Sequence, residues 1–274
     1  MRIFLLLFGL IPALAAANEC RFSAAHDFDV DAAGLKTIAF NLGSSDISVE
    51  GVPGLARIEV RARACASVEG WLSDLGVDHD RSGDRLSITP KQEHRNAWQS
   101  SGSSYAYIEL HVRAPAALAL EIRSISGDAN VRNAAMLAFE SASGDLDAKQ
   151  IAGELTIDVS SGDVKGDAIG RVEVHRTASG DITLRNVGGD VRIERSGSGD
   201  LQLSDIRGNV DIGSVGSGDV SAIHVDRNVT VGSVGSGDVF ATSIGGDFTV
   251  HASGSGDVRY HDVRGSVSVP RDND

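Results

Sequence analysis

The sequence predicts an all-β protein: a parallel β-solenoid (a single-stranded β-helix) with 17–19-residue coils and an irregular N-terminal β cap. Its first warrant is a period. The triplet Ser-Gly-Asp begins at Ser126, Ser143, Ser161, Ser179, Ser198, Ser217, Ser236 and Ser255, in steps of 17, 18, 18, 19, 19, 19 and 19 residues. Self-similarity at a fixed step of this size marks a stacked repeat. The second warrant is alternation inside each unit. In the unit from Ser198 to Gly216 the apolar residues are Leu201 and Leu203, Ile206, Val210 and Ile212, then Val215. The next unit repeats the pattern with Val220, Ala222, Val225, Val229, Val231 and Val234. Period two with polar residues between is the mark of short strands with one buried face. The third warrant is composition, since glycine and β-branched residues recur too often for helices.

One such unit cannot stand alone. Burying five or six small apolar side chains yields roughly 8–15 kcal/mol, whereas ordering nineteen residues costs on the order of 1.5 kcal/mol each. Stacking of successive units, with hydrogen bonds between coils and a shared interior, supplies the difference. Ser-Gly-Asp is then a corner. Its glycine is expected to adopt a positive φ, and its serine and aspartate to hydrogen-bond amides of their own turn. A second, looser corner recurs at Gly189-Asp190, Gly208-Asn209, Arg227-Asn228, Gly246-Asp247 and Gly265-Ser266.

The N-terminal third is less regular. Residues 35–50 and 57–64 alternate as strands, with Ser45-Asp46 as a degenerate first corner. A hairpin is expected around Arg81-Ser82-Gly83-Asp84, a short helix within 67–76 carrying Trp71, and a mobile polar loop over 92–104. Strands at 105–113 and 118–123 lead into the coils. The expected organisation is a signal peptide over 1–17, an N-terminal β cap and first strands over 18–115, a regular solenoid over 116–270 and a polar tail over 271–274. The rod should close at Pro270, because proline cannot continue a ladder.

The address is read from the first residues. Met1-Arg2 is a short positive start, Ile3–Leu14 is apolar, and Ala15-Ala16-Ala17 offers small residues for cleavage. This is the pattern of a secretory signal peptide, and Glu19 before Cys20 argues against a lipid anchor. The mature chain is expected to be soluble in the periplasm, at the cell surface or secreted. Its two cysteines, Cys20 and Cys65, suit one disulfide in an oxidising compartment; two separate buried thiols are the alternative.

The net charge of −13 argues against nucleic acid, which calls for clustered Lys and Arg. It favours cationic partners.

The succession LKTIAFNLGSSDISVEG, YIELHVRAP, LALEIRSISGDANV and then repeated SGDV resembles a bacterial domain-of-unknown-function family of "putative adhesin" proteins, built of β-strand repeats folded as a β-helix. The likeness covers about residues 28–269. It implies an exported or envelope-exposed protein, with some members similar to components of envelope-stress systems. It carries no catalytic residues over.

In register, Asp128, Asp145, Asp163, Asp181, Asp200, Asp219, Asp238 and Asp257 form a file of carboxylates about 5 Å apart. Neighbours would repel by roughly 1–3.5 kcal/mol. Three arrangements would offset this: hydrogen bonds within each corner, bridging Ca²⁺, or a cationic partner. The candidate ligand or cation stripe is Asp181, Asp200, Asp219, Asp238 and Asp257. Calcium fits poorly, because the nonapeptide repeats that bind it have a far shorter period. His251 and His261 lack the neighbours a zinc site needs, so no metal site and no cofactor is expected. Phe240 falls on the outward parity and Tyr260 on the inward one. Parallel β-helices include polysaccharide-cleaving enzymes, and two carboxylates could cleave a glycoside. Coils this short leave almost no loop to build a cleft, so no enzymatic activity is expected. The functional expectation is a non-enzymatic envelope protein, an adhesin or scaffold contacting surface polymers or proteins. The alternatives are an envelope-stress component capturing cationic peptides or polymers through its acidic face, and a unit that assembles end to end.

Overall fold

In a computed structural model, which describes residues 20–92 and 104–270, most coils contain two strands, while Leu146–Val159 and Val164–Arg176 each run on as one. The unit Leu201–Ile206 and Val210–Val215 is typical. First strands of successive coils stack into one parallel sheet and second strands into another, facing it. Ile182, Leu201, Val220 and Val239 lie directly over one another. Every apolar residue of the Leu201–Val215 unit singled out above is buried, as are those of the unit that follows.

Strand β1 covers Phe22–Ala25, β2 Phe28–Asp31, β3 Thr37–Gly43, β4 Asp46–Val52, β5 Arg57–Ala66, β6 Leu75–Ser82, β7 Arg85–Gln92, β8 Ala106–Pro115, β9 Ala119–Ser124 and β10 Ala129–Ala134. The expected hairpin is β6–β7, closed with Ser82 opposite Arg85 and Gly83 at φ 62°. The expected short helix is a 3₁₀ turn at Glu69–Asp74, with Trp71 packed against the core. The expected loop over 92–104 falls almost wholly, and the signal peptide and polar tail wholly, outside the described residues. No helix among the described residues is long and apolar enough to cross a membrane.

The first coils are threaded out of order. β3 pairs in parallel with β7 on one side and β9 on the other. β4 likewise lies between β8 and β10. The coil β3–β4 is therefore inserted between the later coils β7–β8 and β9–β10. Segment 18–115 contributes these two coils as well as the cap. The cap itself is antiparallel: β5 closes the first sheet on β8, β1 and β2 lie on β5, and β6 closes the second sheet on β7. A disulfide between Cys20 and Cys65, with Cα atoms 5.4 Å apart, ties the start of β1 to β5. Across the inserted coil, Arg85 on β7 donates two hydrogen bonds, of 2.6 and 2.7 Å, to the carboxylate of Glu121 on β9.

At the far end, Val258–Val263 is the last strand of the first sheet among the described residues, and Tyr260 on its inward side is 48% exposed. Its ring rests 5.9 Å from that of buried Phe248. The last strand, Val267–Ser268, ends just before Pro270. Phe240, as its parity predicts, points outward and is exposed.

Candidate functional site

The Ser-Gly-Asp corners form a straight file, and the structure supplies its chemistry. The backbone N–H of each corner aspartate donates to Oδ1 of the corner aspartate one coil earlier. The bond is 3.0 Å from Asp181 to Asp163, 2.9 Å from Asp200 to Asp181 and from Asp219 to Asp200, 2.8 Å from Asp238 to Asp219 and 2.9 Å from Asp257 to Asp238. The ladder runs back through Asp163, Asp145 and Asp128 to Asp46, so the degenerate corner at Ser45-Asp46 is its first rung. All five candidate stripe residues lie in it. The expected bonding of carboxylates to amides is present, but the amide belongs to the next coil rather than to the aspartate's own turn. A fixed N–H dipole in every gap between like charges offsets their repulsion.

The corner glycine has a different role from the one expected. None of the Ser-Gly-Asp glycines has a positive φ; among the described residues such glycines are Gly34, Gly43, Gly54 and Gly83, all in the first coils and cap. A Cβ on Gly218 would instead lie 2.0 Å from the carbonyl oxygen of Gly199, and one on Gly237 only 1.9 Å from that of Gly218. Glycine is required because corner stacks on corner, backbone against backbone. Three residues before the glycine, a buried hydroxyl closes several corners from inside. Ser141 accepts the N–H of Gly144 at 2.8 Å, and Thr177 and Ser196 donate to the carbonyls of Gly180 and Gly199.

The positive φ falls elsewhere, on residues the sequence did not flag. Asn133, Gln150, Ala168, Asn186, Asp205, His224, Ser243 and Asp262, each five residues after a corner aspartate, have φ between 54 and 58°. This left-handed residue bends the first strand so that, for example, Ile206 follows Leu203 into the core. The second corner repeats the ladder in mixed chemistry. Asn209 N–H donates to Asp190 Oδ1 at 2.7 Å, and Asp247 N–H to Asn228 Oδ1 at 2.8 Å.

The hydrogen bond uses one carboxylate oxygen. Among the described residues Asp46, Asp128, Asp145, Asp163, Asp181, Asp200 and Asp219 have no ion-pair partner; only at the end does Arg259 pair with Asp257 at 2.5 Å and Asp238 at 3.5 Å. Near the capped end the file borders a groove of about 490 Å³ on the outer face of the first sheet, lined by Asp46, Glu109, Asp128, Asp145, Asp147 and Asp163 among others. Asp147 accepts from Lys149 at 2.8 Å through Oδ2, while its Oδ1 is buried without a partner. A second groove, lined by Asp200 and Asp219, lies further along the rod. Asp147 and Glu109 were missed as candidates because they lie outside the triplet. No signal in the sequence sets Glu109 beside Asp46; that register follows from the insertion of β4 next to β8. Hydrogen bonds from Arg61, Lys36 and Arg85 hold the carboxyls of Asp29, Asp84 and Glu121 below their ordinary range.

Two facing parallel sheets with a carboxylate ladder along one corner define a short-coil β-solenoid whose distinctive surface is anionic. The chain belongs to the Toastrack DUF4097 family, whose model matches residues 56–251. No curated protein matches it. Among solved structures it is similar to a "putative adhesin" from Bacteroides fragilis, at 12% identity and TM-score 0.43 over 91% of this chain and 98% of that one. It is also similar to a "putative lipid binding protein" from Parabacteroides distasonis, at 14% identity and TM-score 0.40 over 91% and 97%. A third is a "putative cell adhesion protein" from Clostridium sporogenes, at 10% identity and TM-score 0.31 over 90% and 99%.

Proposed function

We propose that this chain is an exported, non-catalytic binding rod of the bacterial envelope, whose corner carboxylates engage a cationic surface polymer or protein. The supporting observation is the run of seven corner aspartates that lack a basic partner among the described residues. Each is held by the N–H of the next corner and keeps its second oxygen for a ligand. A periodic row about 4.8 Å apart suits a polymer or an extended peptide with regularly spaced positive groups. The Cys20–Cys65 disulfide supports an oxidising compartment, as the leader-like first residues do. Between Ala119 and Ser268 the turns between strands are one to five residues long, so these coils supply no long loops with which to surround a substrate.

The test is binding of a Lys-rich peptide and of an amine-bearing polysaccharide, measured against neutral analogues at increasing salt. Attraction to exposed charges weakens as the Debye length falls. Replacing Asp181, Asp200 and Asp219 together by asparagine should weaken binding while leaving the melting temperature near that of the parent. Unchanged binding by a folded variant rules the reading out. Release of reducing ends from the polysaccharide would overturn its non-catalytic half.

A further inference from the structure

The outer face of the second sheet obeys a simple rule until it reaches one place. Its carboxylates pair with arginine on another coil: Glu121 with Arg85 across the inserted coil, and, between adjacent coils, Glu140 with Arg123 at 3.1 Å, Glu154 with Arg171, and Asp158 with Arg176 at 3.0 Å. Glu173 and Glu194 do not. The ladder sets Arg192 directly beside Glu173, yet its guanidinium turns away, to lie 3.8 Å from Asp211. Glu173 has no ion-pair partner among the described residues, and Glu194 has only an imidazole, Nδ1 of His175, 3.7 Å from its Oε1. That is too long for a hydrogen bond.

The backbone accounts for the convergence. Glu173 and His175 stand two apart on one strand and so share a face. A register irregularity against Ile157 and Asp158 makes His175 an extra residue in its strand. Toward the next coil the nineteen-residue register continues, and it sets His175 beside Glu194, between the pairs Val174–Ile193 and Thr177–Ser196. In the following two coils the corresponding positions are Gly213 and Gly232, where a Cβ would lie 2.5 Å from Glu194 O and 2.3 Å from Gly213 O. The side of Glu194 facing the following coils therefore meets no side chain at Gly213 or Gly232 in this column. One ligand atom from each of Glu173, His175 and Glu194 can be chosen so that all lie within 4.8 Å of one another. Around a shared ion with bonds near 2.1 Å, neighbouring ligands lie about 3–3.4 Å apart, within reach of small rotations of these half-exposed side chains.

We propose that Glu173, His175 and Glu194 form a surface site for a divalent transition-metal ion of the zinc type, with the remaining coordination positions open. An imidazole with two carboxylates suits zinc and its first-row neighbours. Calcium and magnesium call for all-oxygen shells, calcium for six to eight ligands, so they should not compete. The site lies on the outer face of the second sheet, apart from the corner file, and does not depend on the cationic-partner reading. Its open positions would accept a carboxylate or imidazole from a docked molecule.

The experiment is calorimetric titration of the untagged full chain with Zn²⁺, repeated with Co²⁺ as a spectroscopic probe. The expected result is one high-affinity equivalent, with Co²⁺ absorption bands displaced by Zn²⁺ but not by excess Ca²⁺ or Mg²⁺. His175→Ala and the near-isosteric Glu194→Gln should each lower affinity at least about ten-fold, while His251→Ala and Asp200→Asn leave it unchanged. Circular dichroism shows that each variant is folded. Absence of Zn²⁺ binding, or binding that survives His175→Ala, overturns the site, and so does displacement by Ca²⁺.

Discussion

The backbone N–H of Asp219 donates to Oδ1 of Asp200, one coil earlier, at 2.9 Å. Asn228 does the same service for Asp247 in the second corner. An amide oxygen therefore suffices for the bond. Asp200→Asn should keep the ladder and remove one charge from a row of like charges, leaving stability within about 0.5 kcal/mol of the parent. Asp200→Ala removes the acceptor and should cost about 1 kcal/mol. Urea unfolding of the two variants side by side separates hydrogen bonding from charge.

Gly218→Ala should be far more damaging than its surroundings suggest. Its neighbours Ser217 and Asp219 are exposed, but Gly218 itself is buried, and the new methyl would lie 2.0 Å from the carbonyl oxygen of Gly199, so the two coils must separate. Loss of about 3 kcal/mol or more is expected. Gly83→Ala, in open space at φ 62°, should cost only about 1–2 kcal/mol. Equal losses at the two positions would refute the backbone-contact account of the corner glycine.

Ala168 holds a left-handed conformation, φ 58°, that neighbouring coils assign to Asn186, Asp205 and similar residues. Ala168→Gly or Ala168→Asn should raise stability by about 0.5–1 kcal/mol. Thermal melting provides the measurement.

Reducing Cys20–Cys65 should loosen the cap and leave the coils intact. Closing a loop across a sequence separation of 45 residues stabilises by about 2–4 kcal/mol. Hydrogen exchange after reduction should quicken over 22–31, while protection in the strands from 182 to 244 is retained.

Acid should act on the clip across the inserted coil. The Arg85 hydrogen bonds hold the Glu121 carboxyl low, against the upward push of burial. A carboxyl depressed in the folded state contributes stability above its unfolded value of about 4.3, and that contribution disappears as pH falls through the lower folded value. Both side chains are about one-third exposed, 35% and 34%, so solvent screening keeps it to about 0.5–1 kcal/mol. Glu121→Gln should remove this part of the acid limb and leave stability at low pH unchanged.

Most of the coil architecture was legible because the code is local and repeated. Leu201, Leu203 and Ile206 announce an inward face by spacing alone, and the triplet marks where each coil turns. The left-handed column was not legible, because Asn133, Ala168 and His224 share a φ and no chemistry. The role of the corner glycine was misassigned because sequence shows that a side chain is excluded, not what excludes it. Steric exclusion here comes from another coil. The aspartate file was visible as a period, whereas the Glu173, His175 and Glu194 cluster was not. His175 and Glu194 stand at the same nineteen-residue step as Val174 and Ile193, but that step alone does not single out their column. Nor does local alternation say which coil lies on which, and the insertion of β3–β4 between later coils could not be read from it.

That insertion sets an order on biosynthesis. A chain emerging vectorially from a ribosome or a translocation channel exposes Thr37–Val52 long before either flanking neighbour exists. Its bare strand edges must wait until Ala106–Pro115 and Ala119–Ala134 have both emerged. Productive nucleation is thus deferred by some eighty residues of synthesis, a delay in which long-range closure is slow and a holding chaperone would find its most exposed client segment.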